Sequence, residues 1–291
     1  MQLPKPLNTK AMLVKLTMRR ANLTRRDQVA ETLIQQQLDD ASLIVNSKLF
    51  RDKANPINAI MSEASGVYQY HKHNTLPYID KGPRILPNNV YMDYTQAMRE
   101  RIARVDAMLT QYIPNYDQYV QLDIKYRSQN KTNSRATTAD YPSAEDFRSR
   151  MGFDLRFMPL PDESHFLFDM SDEDKEGFRQ SIAEAERTAR TSTVKLMLEP
   201  LQHLVDKLAK PVGESGSIFR DSAIDNVIEG LQTARKLNID DNPEVTAVIA
   251  HLSSAMSLFA EHKDSLRESP VVRESAHNKL KDIAAQMAGF V

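Results

Sequence analysis

Apolar residues recur at spacings of three and four over long stretches of this chain, and that periodicity limits the folds it can adopt. In the clearest stretch the apolar positions run from Tyr94 to Val120 as one continuous stripe. Such a stripe is typical of an amphipathic helix with one face in a core. A second stripe, from Val245 to Phe259, indicates a helical bundle in the C-terminal part. The sequence therefore predicts a mainly α fold.

A few segments have the two-residue period of strands instead. Apolar residues alternate over residues 11–18 and again over residues 153–157. After the second run, residues 161–164 have the composition of a turn, and residues 165–168 are predicted to form a second strand that pairs back with the first. This pattern predicts a hairpin. We expect a small antiparallel sheet of about three strands that joins two helical halves, so the predicted class is mainly α (α+β).

Capping residues and prolines predict where the helices begin and end. Thr24 with Asp27 is a helix-start signal, and we expect a helix to about Leu38 that resumes to Phe50. Pro114 and Pro200 interrupt longer helical patterns and predict kinks. The remaining start signals are Asn55-Pro56, Ser143 with Asp146, Ser171 with Asp174, Asn242-Pro243 and Ser269-Pro270.

Two segments lack helical character. Residues 74–88 contain three prolines and Gly82, which predicts an ordered loop across the surface. Residues 127–142 are polar and basic and predict a mobile linker. The expected division is therefore a basic, Tyr-rich helical half over residues 1–126, the linker 127–142, and an acidic half over residues 143–291 with the hairpin and the bundle.

Composition narrows the class of protein. The chain of 291 residues has 41% hydrophobic and 26% charged residues and no Cys, so disulfides, thiolate metal sites and cysteine nucleophiles are excluded. The first residues have no apolar signal-peptide core, and the apolar runs are shorter than the roughly 20 residues of a membrane span. We expect a cytoplasmic protein, in an infected host if the gene is viral, with no membrane partner.

No motif in the sequence carries recognisable chemistry. His71-Lys72-His73 has a spacing that two zinc ligands can use on an extended segment, but no third ligand cluster follows. The glycines at positions 213 and 216 are not followed by the Lys-Ser/Thr of a phosphate loop. We therefore expect no enzyme activity, no cofactor and no metal site.

The tyrosines and the charges are distributed unevenly. All ten tyrosines lie between Tyr68 and Tyr141, residues 1–150 carry 22 Lys+Arg against 15 Asp+Glu, and residues 151–291 carry 16 against 24. Exposed rings beside cations suit single-stranded nucleic acid, whereas Tyr and Arg also dominate protein interfaces. The opposite net charges of the two halves of the sequence also permit head-to-tail self-assembly. Because the net charge of the whole chain is close to zero, a protein partner is favoured over nucleic acid by a narrow margin.

Several segments resemble one protein family. They are residues 73–87, 91–94, 141–143, 152–153, 157–161 and 219–222. In these segments the chain resembles a family of uncharacterised proteins encoded by tailed phages and prophages, with the proline-framed loop as the most specific part. The resemblance implies a phage origin and a partner among nearby gene products, such as a MoxR-type AAA+ ATPase or recombination proteins. It implies no catalytic residue.

These observations lead to two hypotheses of function. The first is a non-enzymatic, phage-encoded interaction protein that acts as adaptor or modulator of an AAA+ ATPase or a host protein, and that can self-assemble. Its contact residues would be Tyr78, Lys81, Arg84 and Tyr91. The alternative is a single-stranded DNA-binding or annealing protein in recombination or replication. Its contact residues would be Arg19, Arg20, Arg25, Arg26, Tyr70, Lys72, Lys125 and Arg127.

Overall fold

The computed structural model of the chain describes residues 9–38, 42–78, 82–129, 136–161, 171–211, 220–239 and 243–291. The chain divides into two compact units. We call the first the bundle unit; it comprises Met1–Lys15, Lys72–Tyr94 and Arg156–Val291. We call the second the tyrosine unit; it comprises Leu16–His71 and Thr95–Leu155. Each unit is therefore assembled from segments that are distant in sequence.

The elements follow one another along the chain with helices predominating. In order they are β1 (Ala11–Arg19), β2 (Thr24–Arg26), α1 (Gln28–Leu38), β3 (Asn46–Lys48), α2 (Ile57–His73), β4 (Leu76–Pro77), β5 (Arg84–Pro87), α3 (Tyr91–Tyr112), α4 (Tyr116–Gln129), α5 (Ala144–Ser149), β6 (Gly152–Met158), α6 (Asp172–Leu208), α7 (Asp221–Leu237), α8 (Pro243–Glu261), α9 (Lys263–Glu268) and α10 (Pro270–Ala288). The mainly α fold with a small antiparallel sheet is confirmed.

The larger sheet has the strand order β4-β5-β1-β6. Strand β5 pairs antiparallel with β1, with Leu13 opposite Ile85, and with β4, with Leu76 opposite Ile85. The strands at residues 11–18 and 153–157 are thus confirmed. The predicted return strand at residues 165–168 lies outside the described residues, and β4 and β5 were not expected.

The prediction that residues 74–88 form a surface loop is wrong in part, because β4 and β5 lie within them. Ile85 and Leu86 are fully buried, and β5 pairs with strands on both sides. The prolines do not prevent this pairing. Pro77 lies in the edge strand β4 and Pro87 at the end of β5, where a missing backbone N–H costs no ladder hydrogen bond.

The predicted helix start at Thr24 and the continuation to Phe50 are also wrong. Thr24 lies in β2, which pairs antiparallel with β3 in a separate two-stranded sheet. Asp27 caps α1 instead: its Oδ1 accepts from the backbone N–H of Ala30 at 3.3 Å. The helix does end at Leu38, as expected.

The other predicted helix boundaries agree better with the structure. Side-chain caps form at Asn55, Ser143, Ser171 and Ser269, each accepting a backbone N–H of the first turn. Pro114 separates α3 from α4 within a short 3-10 segment, Ile113–Asn115. Pro200 lies inside α6, which continues to Leu208. Among the described residues, the predicted linker 127–142 includes the end of α4, a 3-10 turn and the buried Tyr141.

The bundle unit has an aliphatic core. Helices α6 to α10 bury one another's apolar faces, for example Leu201, Leu252 and Leu280. Helix α7 approaches α6 closely at Gly230, where an added Cβ would lie 2.5 Å from the backbone oxygen of Leu196. Only glycine permits this contact between the two helices.

Candidate interaction surfaces

The centre of the tyrosine unit is a buried carboxylate. Asp123, on α4, accepts backbone N–H bonds from Phe50 at 2.9 Å and from Arg51 at 2.7 Å. Its Oδ2 also accepts from the Arg127 Nε at 2.9 Å and from the Tyr141 hydroxyl at 2.5 Å. Asp123 therefore joins α4 to residues 50 and 51, more than seventy positions away, and to Tyr141.

The partners of Asp123 determine its ionisation. Burial alone would raise the pKa of Asp123, but the hydrogen bonds from Tyr141 and Arg127, together with the Arg127 charge, hold it below its ordinary value. Arg127 is equally buried and also donates to the backbone oxygen of Lys48. Phe50 has a φ of 52°, an unfavourable conformation for a residue with a Cβ. The bond from its N–H to Asp123 holds it there.

Aromatic rings surround this network. Phe50 makes edge contacts with Tyr116 and Tyr141 at centroid distances of 5.9 and 5.2 Å, and Tyr112 stacks on Tyr119 at 4.7 Å. Burial raises the pKa of Tyr116 to about 12 and raises the pKa values of Tyr112 and Tyr141 above their ordinary range. These tyrosines are packed in a core and do not form a contact surface.

The predicted protein-contact residues are largely engaged within the bundle unit. Arg84 donates to the Thr75 hydroxyl at 2.6 Å and to the backbone oxygens of Thr75 and Lys72, which ties β5 to the end of α2. Tyr78 packs against the core formed by the sheet and burial raises its pKa. Tyr91 makes an edge contact with Phe157 at 5.2 Å. Lys81 lies outside the described residues.

Several of the predicted nucleic-acid contacts also have structural partners. Arg25 pairs with Asp27 and Asp140, Arg26 pairs with Glu31, and Arg127 pairs with Asp123. Arg19 donates to the backbone oxygen of Ser149, and Arg20 to the hydroxyl of Ser65, with both arginines still exposed. Tyr70 lies under the Arg101 guanidinium at 4.4 Å. Lys72 and Lys125 are exposed.

The charge contrast between the sequence halves is not a contrast between the units. The tyrosine unit contains 16 Lys+Arg and 14 Asp+Glu, and the bundle unit contains 22 and 25. Each unit is close to neutral because the acidic and basic segments are distributed between them. Opposite net charges of the units therefore give no basis for head-to-tail assembly.

Helix α1 presents an apolar side to the outside. Among its eleven residues, all of them described, only Glu31 is buried. Val29 and Leu33 lie one turn apart on the side opposite Glu31 and are 56% and 47% exposed. Leu38, at the end of the helix, and Ile44, in the adjacent segment, are 65% and 64% exposed. Leu38 comes seven residues after Glu31 and so lies on the Glu31 side of the helix, and we call Val29 and Leu33 the α1 surface.

Hydrogen bonds fix this orientation of α1. The Arg26 guanidinium donates two hydrogen bonds to the Glu31 carboxylate, at nitrogen–oxygen distances of 2.8 and 2.5 Å. One helical turn further on, the Gln35 side chain donates to the backbone oxygen of Leu43 at 2.8 Å. The hydrogen bonds from Arg26 lower the pKa of Glu31. The polar side of α1 therefore faces its own unit and Val29 and Leu33 face away, a feature that apolar periodicity could not reveal.

A cleft of about 320 Å³ lies in the bundle unit where α6 ends and α10 begins. Arg273 donates there to the backbone oxygen of Lys207 at 2.8 Å, and His277 contacts that of Val205 at 3.1 Å. These side chains hydrogen-bond to backbone carbonyls in the last turn of α6, where a helix has negative potential. The cleft is therefore explained by helix capping.

Within the described part of the chain, no group of three His, Asp or Glu side chains is placed to hold a metal ion. His73, from the sequence motif, contacts the Thr233 hydroxyl at 3.1 Å. None of the described helices combines the length and the apolar character needed to cross a membrane. Comparison of the chain with protein-family profiles, with curated proteins and with solved structures gave no significant match.

Proposed function

We propose that this chain is a non-enzymatic interaction protein that binds another protein through the α1 surface. The observation that carries the proposal is the outward apolar side of α1. Single exposed apolar residues are normal, but Val29 and Leu33 are adjacent large apolar side chains on one outward helix face, and contiguous apolar patches mark contact sites on soluble proteins. The contacts of Glu31 with Arg26 and of Gln35 with the backbone of Leu43 lie on the other side of α1 and leave Val29 and Leu33 exposed, as a docking helix requires.

This proposal moves the contact site from residues 74–88 to α1. Tyr78, Arg84 and Tyr91 have partners within the bundle unit, and their interactions stabilise its fold. The partner class implied by the family resemblance, an AAA+ ATPase or a host protein, stays a prediction.

A photo-crosslinking amino acid at position 33 tests the proposal in cells that make the protein naturally. The matched control is position 122 on α4, because Leu122 is 50% exposed and belongs to the same unit. We expect a protein crosslink from position 33 that is absent from position 122. Equal crosslinking from both positions, or none from position 33, would remove the proposal.

Single-stranded DNA binding is the second candidate, and one surface of the tyrosine unit favours it. Tyr68 is 42% exposed, and on the same helix Tyr70 stacks with Arg101. A base stacked on one exposed ring contributes about 1–3 kcal/mol. The candidate predicts binding that weakens steeply with salt and that Tyr68→Ala reduces; no binding at about 50 mM salt would exclude it.

A further inference from the structure

Two tyrosines border the outer face of α2, and each has an arginine near it. At one border, the exposed Arg20 guanidinium donates to the Ser65 hydroxyl at 2.8 Å, one helical turn before Tyr68. Two residues further on, Tyr70 points to the opposite flank of the helix, where Arg101 lies over its ring at 4.4 Å. All five residues belong to the tyrosine unit, so one compact unit holds the whole arrangement.

The surface of α2 between these borders is low and open. Its side chains at Ser62 and Ser65 are small, and a Cβ added at Gly66 would meet no atom within 4 Å. Gln69 is longer and exposed, and its amide can donate to and accept from the edge of a base. A flexible strand can therefore lie along α2 without displacing a packed side chain.

The charges at this face favour a phosphate backbone. Over residues 57–71, α2 carries one carboxylate, Glu63, and Arg104 pairs with it at 3.3 Å. Arg20 is bonded to a hydroxyl and Arg101 contacts a neutral ring, and among the described residues no carboxylate pairs with either of them. Positive charges beside exposed rings are the combination that single-stranded nucleic acid requires.

We infer that the outer face of α2 binds single-stranded DNA, with a base stacked on Tyr68 and the adjoining phosphate bound by Arg20. Ser65, which holds Arg20, precedes Tyr68 by about 4.5 Å along the helix axis, so one nucleotide can reach both the ring and the guanidinium. Arg101 adds the second positive charge at the other border. This inference rests on the second candidate function and assigns the residues that would perform it.

Fluorescence anisotropy of a labelled oligothymidylate of about 20 nucleotides, added to the full chain at about 50 mM salt, tests the inference. Tyr68→Ala should weaken binding by about 5–150-fold, the effect of losing one stacked base, and should leave the salt dependence unchanged. Tyr68→Phe keeps the ring and should bind like the original chain. Arg20→Ala should lower the slope of log affinity against log salt by about 0.7, because one phosphate contact is lost.

A second pair of variants separates the α2 face from general charge. Gly66→Leu places a side chain on the open surface, where it meets no other atom, and should weaken binding as strongly as Tyr68→Ala without loss of stability. The charge-matched control for Arg20→Ala is Lys125→Ala, which removes an exposed cation of the same unit on α4 and should leave the affinity nearly unchanged.

Three results would overturn the inference. If the original chain binds the oligonucleotide and Tyr68→Ala, Arg20→Ala and Gly66→Leu all bind equally well, the second candidate function stands but its site lies elsewhere. If only Arg20→Ala weakens binding, the face attracts negative charge without stacking a base, as a surface for an acidic protein would. If the original chain does not bind, both the inference and the second candidate function fail.

Discussion

One helix in each unit arranges its polar and apolar side chains in the opposite way to the other. In the bundle unit, α7 buries Ile224, Val227 and Leu231. In the tyrosine unit, α1 buries Glu31 and exposes Val29 and Leu33. Both helices are amphipathic by sequence, so the pattern alone does not determine which side faces inward. In α1 the hydrogen bonds of Glu31 and Gln35 determine it.

The largest effect is expected from removing the buried carboxylate of the tyrosine unit. Asp123→Ala leaves the Arg127 guanidinium buried without its ion-pair partner and removes the acceptor of the Phe50 and Arg51 N–H groups. We expect a loss of about 3–5 kcal/mol of unfolding free energy, or failure of this unit to fold.

Denaturant unfolding with tyrosine fluorescence measures that loss. The control is Asp117→Ala on the same helix, where the side chain is exposed and the change should be within about 0.5 kcal/mol. Equal stability of the two variants would show that the polar network is not what holds the tyrosine unit together.

Two glycines sharpen the contrast between close packing and open surface. Gly230→Ala forces a Cβ against the backbone oxygen of Leu196 and should cost the bundle unit about 1–3 kcal/mol. Gly66→Ala, in α2, meets no atom within 4 Å and should stabilise by about 0.5–1 kcal/mol, since alanine favours a helix. Thermal unfolding of both variants checks the signs; a stabilising Gly230→Ala would mean that α6 and α7 are further apart.

Two buried tyrosines of the tyrosine unit differ in the hydrogen bonding of the hydroxyl. Tyr141→Phe removes a hydrogen bond to the Asp123 carboxylate and should cost about 1.5–3 kcal/mol. The buried Tyr116 hydroxyl has no hydrogen-bond partner among the described residues, so Tyr116→Phe should be neutral or stabilise by up to about 1 kcal/mol. Chemical unfolding of the pair tests this difference, and equal losses would contradict it.

The shifted pKa values predict how stability depends on pH. The pKa of Asp123 is lower in the folded state, so its contribution is present above the unfolded value of 3.8 and is lost as pH falls through the folded value. The pKa of Tyr116 is raised to about 12, so its contribution is present below pH 10 and is lost as pH rises toward 12. Unfolding free energy measured against pH should fall on both sides, and Asp123→Asn should flatten the acid side.

Much of the bundle unit was predictable from sequence. Ser269-Pro270 and the stripe from Val245 to Phe259 locate α10 and α8 because caps and helical period are local signals. The tyrosine unit was less predictable. Asp123 was not singled out, because its partners at positions 50 and 51 are more than seventy residues away. Likewise, residues 24–26 form a strand only because residues 46–48 pair with them.

The same limit applies to the candidate surface. Tyr and Arg content suggested a contact face, but Tyr112, Tyr116 and Arg127 are buried in the core. The exposed apolar residues of α1 carried no sequence signal, since Val29 and Leu33 have the spacing of ordinary core positions. The orientation of an amphipathic helix depends on tertiary hydrogen bonds, and a single sequence does not display them.

The most direct test of this account is thiol labelling of two single-cysteine variants, since the chain has no other cysteine. The substitution Leu33→Cys reports on the outward side of α1, and Leu231→Cys on the inward side of α7. In dilute protein, position 33 should label at nearly the rate of the unfolded chain, while position 231 stays protected until unfolding. Protection of position 33 equal to that of position 231 in monomeric protein would show that α1 faces inward and would contradict the account.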